Sequence, residues 1–431
     1  MTFRDNPSQT RQDHVVFDQR QRRLLLLLAI ACFTEGYDFN ALMVALPHLR
    51  HDFGLSRAAA DVWVAAIYLG AAPALWLGRR ADRHGRRGVL VLAVTGYTVC
   101  SVATALAPDM AIFVITQFLA RTFMAVQVAV AWTVAAEELP AERRGFGFGI
   151  LALASALGTG LGAVLEAAVL APLGASWRWL YVASLPVVIV ILVLRRELPE
   201  SRRYEHLVES GRMHGRASVL LEPAYRGRLF LICGTVLMAN LTTQATVFAI
   251  DYMQTQRHLG ASTANLILVG AGAICLPVLT GAGRLSDRVG RRPVCAVALL
   301  IQAVGVVLFF NVATTTPVLL AMLALTYVGV FGSWTTGSAF GVEAFPTALR
   351  ATAGAAVTMA KLTGQCASFI GSAILIRSIG HSGLVVALMA IGPLIAAVLV
   401  ARKFPETSGQ ELADTATAHL VPADVAMVAG S

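Results

Sequence analysis

The chain has 431 residues, of which 57% are hydrophobic and only 14% are charged, whereas about 25% of the residues in ordinary globular proteins are charged. Its mean hydropathy is +0.69, which is too apolar for a surface that faces only water, and a bilayer can be the missing solvent. The composition therefore argues against a cytosolic enzyme, a secreted disulfide-stabilised domain and a disordered protein.

Twelve apolar stretches follow one another along the chain, and most have the length of about 20 residues that crosses hydrocarbon as a helix. The predicted spans 1 to 12 are 24–47, 60–79, 88–107, 111–138, 145–170, 177–195, 229–254, 262–283, 293–312, 316–342, 351–377 and 383–401. They divide the chain into an N-terminal tail (1–23), a six-helix bundle (24–195), a linker (196–228), a second six-helix bundle (229–403) and a disordered C-terminal tail (404–431).

Lys and Arg lie mainly on one side of this arrangement. Of the 34 such residues, 27 fall in the tails and loops that share a side with the N-terminus, and five fall on the other side. Because cytoplasmic loops are enriched in Lys and Arg, this pattern predicts that both termini are cytoplasmic. The net charge of +9 is then a topology signal, and nucleic acid is not an expected partner. We expect a monomer in a bacterial-type cytoplasmic (inner) membrane, with no cofactor and no metal.

The two halves of the sequence resemble each other at an offset of 205–206 residues. The loop GRRADRHGRR at 78–87 matches GRLSDRVGRR at 283–292, and two further matches are Glu138 with Glu343 and Arg144 with Arg350. Parallel repeats of this kind are typical of transporters whose site lies between two halves that rock against each other. The sequence therefore predicts an all-α membrane protein of twelve transmembrane helices in two parallel six-helix pseudo-repeats.

The loop pattern G-x-x-x-D-R-x-G-R-R resembles the signature of the major facilitator superfamily. The residues around Glu343 and Arg350 and the sequence LPES at 198–201 resemble the branch that contains sugar porters and organic-acid symporters. The resemblance implies the fold of that superfamily and extends over about 24–403.

The charged residues of the two loops are predicted on the same side of the membrane as the acidic ends of spans 4 and 10. We expect these charges to form a cytoplasmic gate that holds the outward-facing state. The alternative is a set of solvated charges that only sets topology. The candidate gate residues are Gly78, Asp82, Arg83, Gly85, Arg86, Arg87, Glu138, Arg144, Asp287, Arg288, Arg291, Glu343 and Arg350.

Four ionisable residues are predicted near mid-membrane, where each costs about 2.5–3.5 kcal/mol and therefore needs a partner or a wet cavity. They are Glu35, Asp38, Arg121 and Lys361. Their depth is counted from the ends of the predicted spans with a helical rise of about 1.5 Å per residue. Two acids and two bases at one depth predict a proton-coupled anion site, in which substrate competes with a carboxylate for a cation. We assign proton coupling to Asp38, Glu35 and Arg121. The alternative is an Asp38–Arg121 pair that serves packing only.

The sequence EGYD at 35–38 resembles the Asp-Gly-x-Asp motif in the first helix of aromatic-acid:proton symporters, with Glu in the first position. An acid in span 1 with an Arg in span 4 also resembles sugar porters, but the additional cation Lys361 favours an anionic substrate. Helical spacing adds further candidates for the substrate cavity. The full predicted substrate set is Arg121, Lys361, Gln365, Asn240, Gln244, Tyr37, Trp132, Phe331 and Trp334.

The expected function is secondary active, proton-coupled uptake of a small organic anion, an aromatic or other carboxylate. The chain has no GxxxxGK[ST] loop, so the energy is expected to come from a gradient or from the substrate itself. A proton-coupled exporter of drugs or metabolites and a sugar:proton symporter remain alternatives. A membrane enzyme is not expected, because the sequence has neither a metal-ligand cluster nor a G-x-S-x-G motif.

Overall fold

The computed structural model describes residues 17–55, 63–64, 66–165, 169–170, 173–183, 185, 217–247, 249–346 and 349–408. Every regular element in these ranges is a helix, which confirms the predicted all-α class. The first half contains α1 (Gln19–Asp52), α2 (Ala74–His84), α3 (Arg86–Ala105), α4 (Met110–Glu138), α5 (Arg144–Leu165) and α6 (Arg178–Val182). The second half contains α7 (Pro223–Ala239), α8 (Thr243–Val247), α9 (Ala249–Thr255), α10 (Ala261–Val289), α11 (Arg291–Asn311), α12 (Thr316–Glu343), α13 (Arg350–Ile379), α14 (Ser382–Met389) and α15 (Ile391–Lys403).

Ten helical segments in these ranges are long and apolar enough to cross a membrane. They coincide with predicted spans 1, 3 to 5 and 7 to 12. Predicted spans 2 and 6, most of the linker, and the tails before residue 17 and after residue 408 lie wholly or partly outside the described residues. The count of twelve spans and the cytoplasmic position of both termini therefore stay predictions.

Helix α1 extends beyond predicted span 1 at both ends. Asp18 forms a capping box with Gln21, because the Gln21 backbone N–H donates to the Asp18 carboxylate at 2.6 Å and the Asp18 backbone N–H donates to Gln21 Oε1 at 3.1 Å. This reciprocal bonding satisfies two N–H groups at the helix start. The helix thus begins at Gln19, inside the predicted tail.

Predicted span 7 is not one regular helix. A 3₁₀ turn over Asn240–Thr242 separates α7 from α8, and the Asn240 side-chain amide donates to the Val236 carbonyl oxygen at 2.8 Å. The turn packs against α13, which agrees with the rule that irregular backbone at membrane depth must be covered by protein. It brings two predicted substrate residues, Asn240 and Gln244, onto the α13 side.

The two halves contact each other through α2, α4 and α5 of the first half and α10, α12 and α13 of the second. Glycine permits this close approach. A Cβ atom added to Gly283 would lie 2.2 Å from the Gly145 carbonyl oxygen, and one added to Gly78 would lie 2.9 Å from the Ala351 carbonyl oxygen. These contacts lie at the end of the bundle that carries the two repeated loops, which we name the loop-motif end.

The beginning of the predicted disordered tail is packed. The Phe404 ring contacts the Phe340 ring with a centroid separation of 4.9 Å. The Glu406 carboxylate accepts hydrogen bonds from the backbone N–H groups of Arg291 and Arg292 at 2.8 and 3.2 Å. Residues 404–408 therefore pack against the second half, because the Phe404 ring contacts the end of α12 and the Glu406 carboxylate binds the start of α11.

Candidate functional site

The four ionisable residues predicted at mid-depth form two pairs. In the first pair, Arg121 Nη2 lies 3.6 Å from Asp38 Oδ2, and both side chains are 1% exposed. The Tyr97 hydroxyl donates to Asp38 Oδ1 at 3.3 Å, and the Arg121 guanidinium lies 5.3 Å from the centroid of the Tyr68 ring. This pair joins α1 to α4 and lies wholly within the first half.

The separation within this first pair is longer than a hydrogen bond, which spans about 2.7–3.2 Å between heavy atoms. Asp38 Oδ2 and Arg121 Nη2 are buried and have no hydrogen-bond partner among the described residues. The pair is therefore held by charge attraction in a buried site. Such a site is sensitive to any change in the charge of either partner.

The second pair crosses between the two halves. Lys361 Nζ on α13 lies 3.9 Å from Glu35 Oε1 on α1, and the side chains are 29% and 13% exposed. The Ser155 hydroxyl on α5 donates to the other oxygen of the Glu35 carboxylate. Lys361 Nζ also lies 4.9 Å from the centroid of the Trp334 ring on α12. Four helices from both halves thus meet at one partly accessible ion pair.

The two pairs are neighbours, because Glu35 and Asp38 are three residues apart on α1 and side chains at this spacing share a helix face. The predicted charges therefore lie together, but they differ in access to solvent. Asp38 and Arg121 are sealed in this conformation, whereas Glu35 and Lys361 are partly exposed.

Other predicted substrate residues lie on α12 and α13, the helices that carry Trp334 and Lys361, or contact α13. Gln365 is one turn after Lys361 on α13, is 6% exposed, and has a buried Oε1 atom without a hydrogen-bond partner among the described residues. Phe331 and Trp334 on α12 pack against the main apolar core of the first half. The Gln244 backbone N–H donates to the Ser368 hydroxyl of α13 at 3.0 Å.

Two predicted substrate residues occupy packing positions instead. The Tyr37 hydroxyl donates to the Leu180 carbonyl oxygen at 2.6 Å, within an apolar cluster that includes Trp177. Trp132 is 4% exposed, and its ring lies 5.0 Å from that of Phe148. Both side chains are on helices that carry site residues, but both are buried in apolar clusters.

Three neutral residues also belong to the site and are not among those predicted from the sequence, namely Ser155, Tyr97 and Tyr68. Each has a hydroxyl group in an otherwise apolar stretch. That signal is weak, because Ser and Tyr occur in many transmembrane helices without a functional role. Their contacts with Glu35, Asp38 and Arg121 depend on helices that are distant in sequence.

At the loop-motif end, the aspartate of each repeated loop caps a helix of the opposite half. Asp82 accepts hydrogen bonds from the backbone N–H groups of Ala351 and Thr352, at 3.1 and 2.8 Å, and from the Thr352 hydroxyl at 2.6 Å. Asp287 accepts from the backbone N–H groups of Gly145 and Phe146, both at 2.9 Å. Each carboxylate thus binds the positive end of a helix dipole, at the start of α13 or α5.

Burial raises the pKa of the Asp82 carboxyl to about 6, against the opposing effects of the Arg86 charge and the hydrogen bonds from Thr352 and Ala351. Desolvation disfavours the ionised form, and the donors only partly compensate. Asp82 therefore titrates closer to neutral pH than an exposed aspartate does.

Two buried Arg–Glu–Arg clusters lie next to these caps. Glu137 is 3.3 Å from Arg86 and 2.9 Å from Arg350. In the equivalent cluster, Glu343 is 3.1 Å from Arg144 and also contacts Arg291. In each cluster one arginine comes from the glutamate's own half and the other from the opposite half, so the clusters join the halves.

The acidic member of the first cluster is Glu137, whereas the sequence alignment of the two halves placed Glu138 there. Glu138 Oε2 instead lies 3.9 Å from Arg20 Nη2. The other predicted gate residues lie at the helix ends around the clusters. Gly85 has a φ angle of 97° and Gly290 one of 112°, which glycine adopts without strain, whereas Arg83 is half-buried and Arg87 and Arg288 are exposed.

Comparisons with known proteins agree with this architecture. A sequence model of the Major Facilitator Superfamily matches residues 28–233 and residues 230–426. The probable 4-methylmuconolactone transporter of Cupriavidus pinatubonensis is 26% identical over 363 residues, which cover 81% of this chain and 83% of that protein. The 4-hydroxybenzoate transporter PcaK of Pseudomonas aeruginosa is 29% identical over 237 residues, which cover 54% of this chain and 52% of that protein.

Among solved structures, the proton:xylose symporter XylE bound to 6-bromo-6-deoxy-D-glucose is similar with a TM-score of 0.78 and 18% identity, covering 92% of this chain and 98% of that chain. At this identity the likeness concerns the fold alone. Because the family model matches almost the whole chain, the protein belongs to the Major Facilitator Superfamily and is a multi-pass membrane transporter rather than an enzyme.

Proposed function

We propose that the protein is a proton-coupled transporter that takes up a small organic anion, an aromatic or similar carboxylate, by alternating access. The observation that carries the proposal is the Glu35–Lys361 pair, which joins the two halves next to the sealed Asp38–Arg121 pair. The names of two relatives support the substrate class, since one is a probable 4-methylmuconolactone transporter and one a 4-hydroxybenzoate transporter.

Substrate binding begins at Lys361. The ammonium group is held by a partly exposed carboxylate at 3.9 Å, which a substrate carboxylate can replace. The Trp334 ring beside Lys361 offers an apolar face to a ring-bearing substrate, and Gln365 offers a buried amide oxygen. A mostly apolar site with a few fixed polar groups is the usual form of a small-molecule site.

Charge balance supplies the reason for proton coupling. Glu35, Asp38, Lys361 and Arg121 carry two negative and two positive charges, so the empty site is neutral when all four are ionised. A bound monovalent anion adds one negative charge, which is costly in a low-dielectric site. One proton taken up by the carboxylate that the substrate displaces restores neutrality. The proposed load is therefore one proton with each monovalent anion.

The network at the loop-motif end is the proposed gate. Asp82 and Asp287, which each cap a helix of the opposite half, and the two Arg–Glu–Arg clusters join the halves on one side of the central site. The excess of Lys and Arg supports a cytoplasmic position for this end. The conformation described is then closed to the cytoplasm, and inward opening requires these contacts to separate. The proposed location is a bacterial-type inner membrane, and the proposed oligomeric state is a monomer.

Uptake into proteoliposomes tests the proposal. With the outside acidified, radiolabelled 4-hydroxybenzoate should accumulate inside, and a protonophore should abolish the accumulation. The matched neutral amide, 4-hydroxybenzamide, should not accumulate. Accumulation that is driven only by a proton gradient of the opposite direction would instead support an exporter. Accumulation of a neutral sugar such as xylose, together with no accumulation of 4-hydroxybenzoate, would support a sugar symporter.

A further inference from the structure

A cavity of about 360 Å³ lies at the loop-motif end, away from the ion pairs at mid-depth. It is half open and is bounded by the start of α7, the end of α12, the last residue of α15 (Lys403), and residues 404 and 405, which follow α15. Its polar lining contains two basic side chains, Arg228 and Lys403, and no acidic one is present among the described residues that line it. The cavity therefore has a net positive charge.

The remaining wall of the cavity is apolar. Ile232, Phe340 and Phe404 line it and are 3%, 1% and 5% exposed, so they form a well-packed floor. The neighbouring Phe230 is 65% exposed on a helix that is apolar enough to cross the membrane. The exposed ring indicates that this surface faces lipid. The cavity thus combines a cationic part with an apolar part at the boundary between water and hydrocarbon.

Arg228 occupies a fixed position in this cavity. One of its terminal nitrogens, Nη1, donates to the Ala344 carbonyl oxygen at 2.8 Å, which holds the guanidinium between α7 and α12. Lys403 is in the last turn of α15 and is exposed. A planar guanidinium that is already positioned loses little entropy on binding an oxyanion, and a nearby lysine adds charge.

We propose that this cavity binds the headgroup of an anionic phospholipid, with the phosphate between Arg228 and Lys403 and an acyl chain along the apolar wall. Basic pockets between transmembrane helices are suited to such headgroups. A soluble phosphate anion has the same charge but leaves the apolar wall without a partner. This difference favours lipid as the occupant.

Native mass spectrometry of the purified full-length protein can measure the binding of phosphatidylglycerol and of phosphatidylethanolamine with the same acyl chains. Phosphatidylglycerol should bind more tightly. Lys403→Gln should weaken its binding about fivefold, the effect expected for one basic residue near an anionic surface. Arg402→Gln is the matched control, because Arg402 is exposed on the same helix turn but does not line the cavity. It should retain wild-type binding.

A variant that keeps every charge tests the cavity itself. Gly227 lines the cavity, and a Cβ atom added there meets no heavy atom within 4 Å. Gly227→Leu should therefore fill part of the space without disturbing the fold and should also weaken phosphatidylglycerol binding. Equal losses in Lys403→Gln and Arg402→Gln, or undiminished binding in Gly227→Leu, would overturn the proposal. Full competition by soluble glycerol 3-phosphate would also overturn it in favour of a soluble anion.

Discussion

Replacing Asp38 with asparagine removes the negative charge that accompanies Arg121 in the buried part of the site. Both side chains are 1% exposed, and their charged atoms are 3.6 Å apart. Breaking such a buried pair by removing one partner costs about 3–5 kcal/mol, because the remaining charge is left without compensation. We therefore expect Asp38→Asn to lower the free energy of unfolding by about that amount, and Arg121→Gln to do the same.

The double variant, Asp38→Asn with Arg121→Gln, separates packing from proton coupling. Removal of both charges leaves no uncompensated ion, and such replacements are often neutral for stability. The double variant should then be less destabilised than the sum of the two single variants. Because we assign proton coupling to Asp38 as well as to Glu35, however, the double variant should still fail to accumulate substrate against a gradient.

Two measurements on the same preparations decide the outcome. Chemical unfolding in detergent gives the free energies of the four proteins in the cycle, and proteoliposome uptake gives their ability to accumulate a labelled carboxylate. Glu138→Gln is the control, since Glu138 is an acidic residue on α4 that contacts Arg20 outside the central site. Normal accumulation by the double variant would refute a coupling role and leave Asp38–Arg121 as a packing pair.

Three further predictions concern the second ion pair and the gate. Lys361→Gln should weaken carboxylate binding at least tenfold, since hydrogen bonds to charged groups contribute about 1.5–3 kcal/mol, while binding of a neutral amide analogue stays unchanged in calorimetry; equal losses would contradict the anion role. Glu137→Gln should lengthen the distance between spin labels on the two repeated loops, and Glu138→Gln should not. Lowering the pH from 7 to 5 should raise the ratio of closed to open molecules, measured with the same labels, about tenfold, and Asp82→Asn should remove that increase.

The direction of the pH effect follows from the raised pKa of Asp82, about 6 in the closed state. An exposed aspartate has a pKa of about 3.9, so between these values the closed state binds more protons than an open state in which Asp82 is exposed. Proton binding to Asp82 therefore stabilises the closed state as the pH falls through 6, and this stabilisation is lost as the pH rises. An opposite shift, or an equal shift in Asp82→Asn, would show that another group controls the equilibrium.

The sequence by itself determined the all-α class and the approximate positions of ten spans that the structure describes, and it predicted that the four ionisable residues lie at nearly equal depth. These features depend on local quantities, namely the length of each apolar run and a rise of about 1.5 Å per residue. The repeated loop motifs were equally readable, because both copies keep the same residues at the same spacing.

The tertiary structure alone decided which residues contact each other. It pairs Glu35 with Lys361 across the halves, whereas the contact of Asp38 with Arg121 within one half was an alternative that the sequence had already offered. It also selects Glu137 rather than Glu138 for the Arg86–Arg350 cluster. Consecutive residues on a helix differ in direction by about 100°, so the partner of each side chain depends on how distant helices are rotated and packed, which no local pattern records.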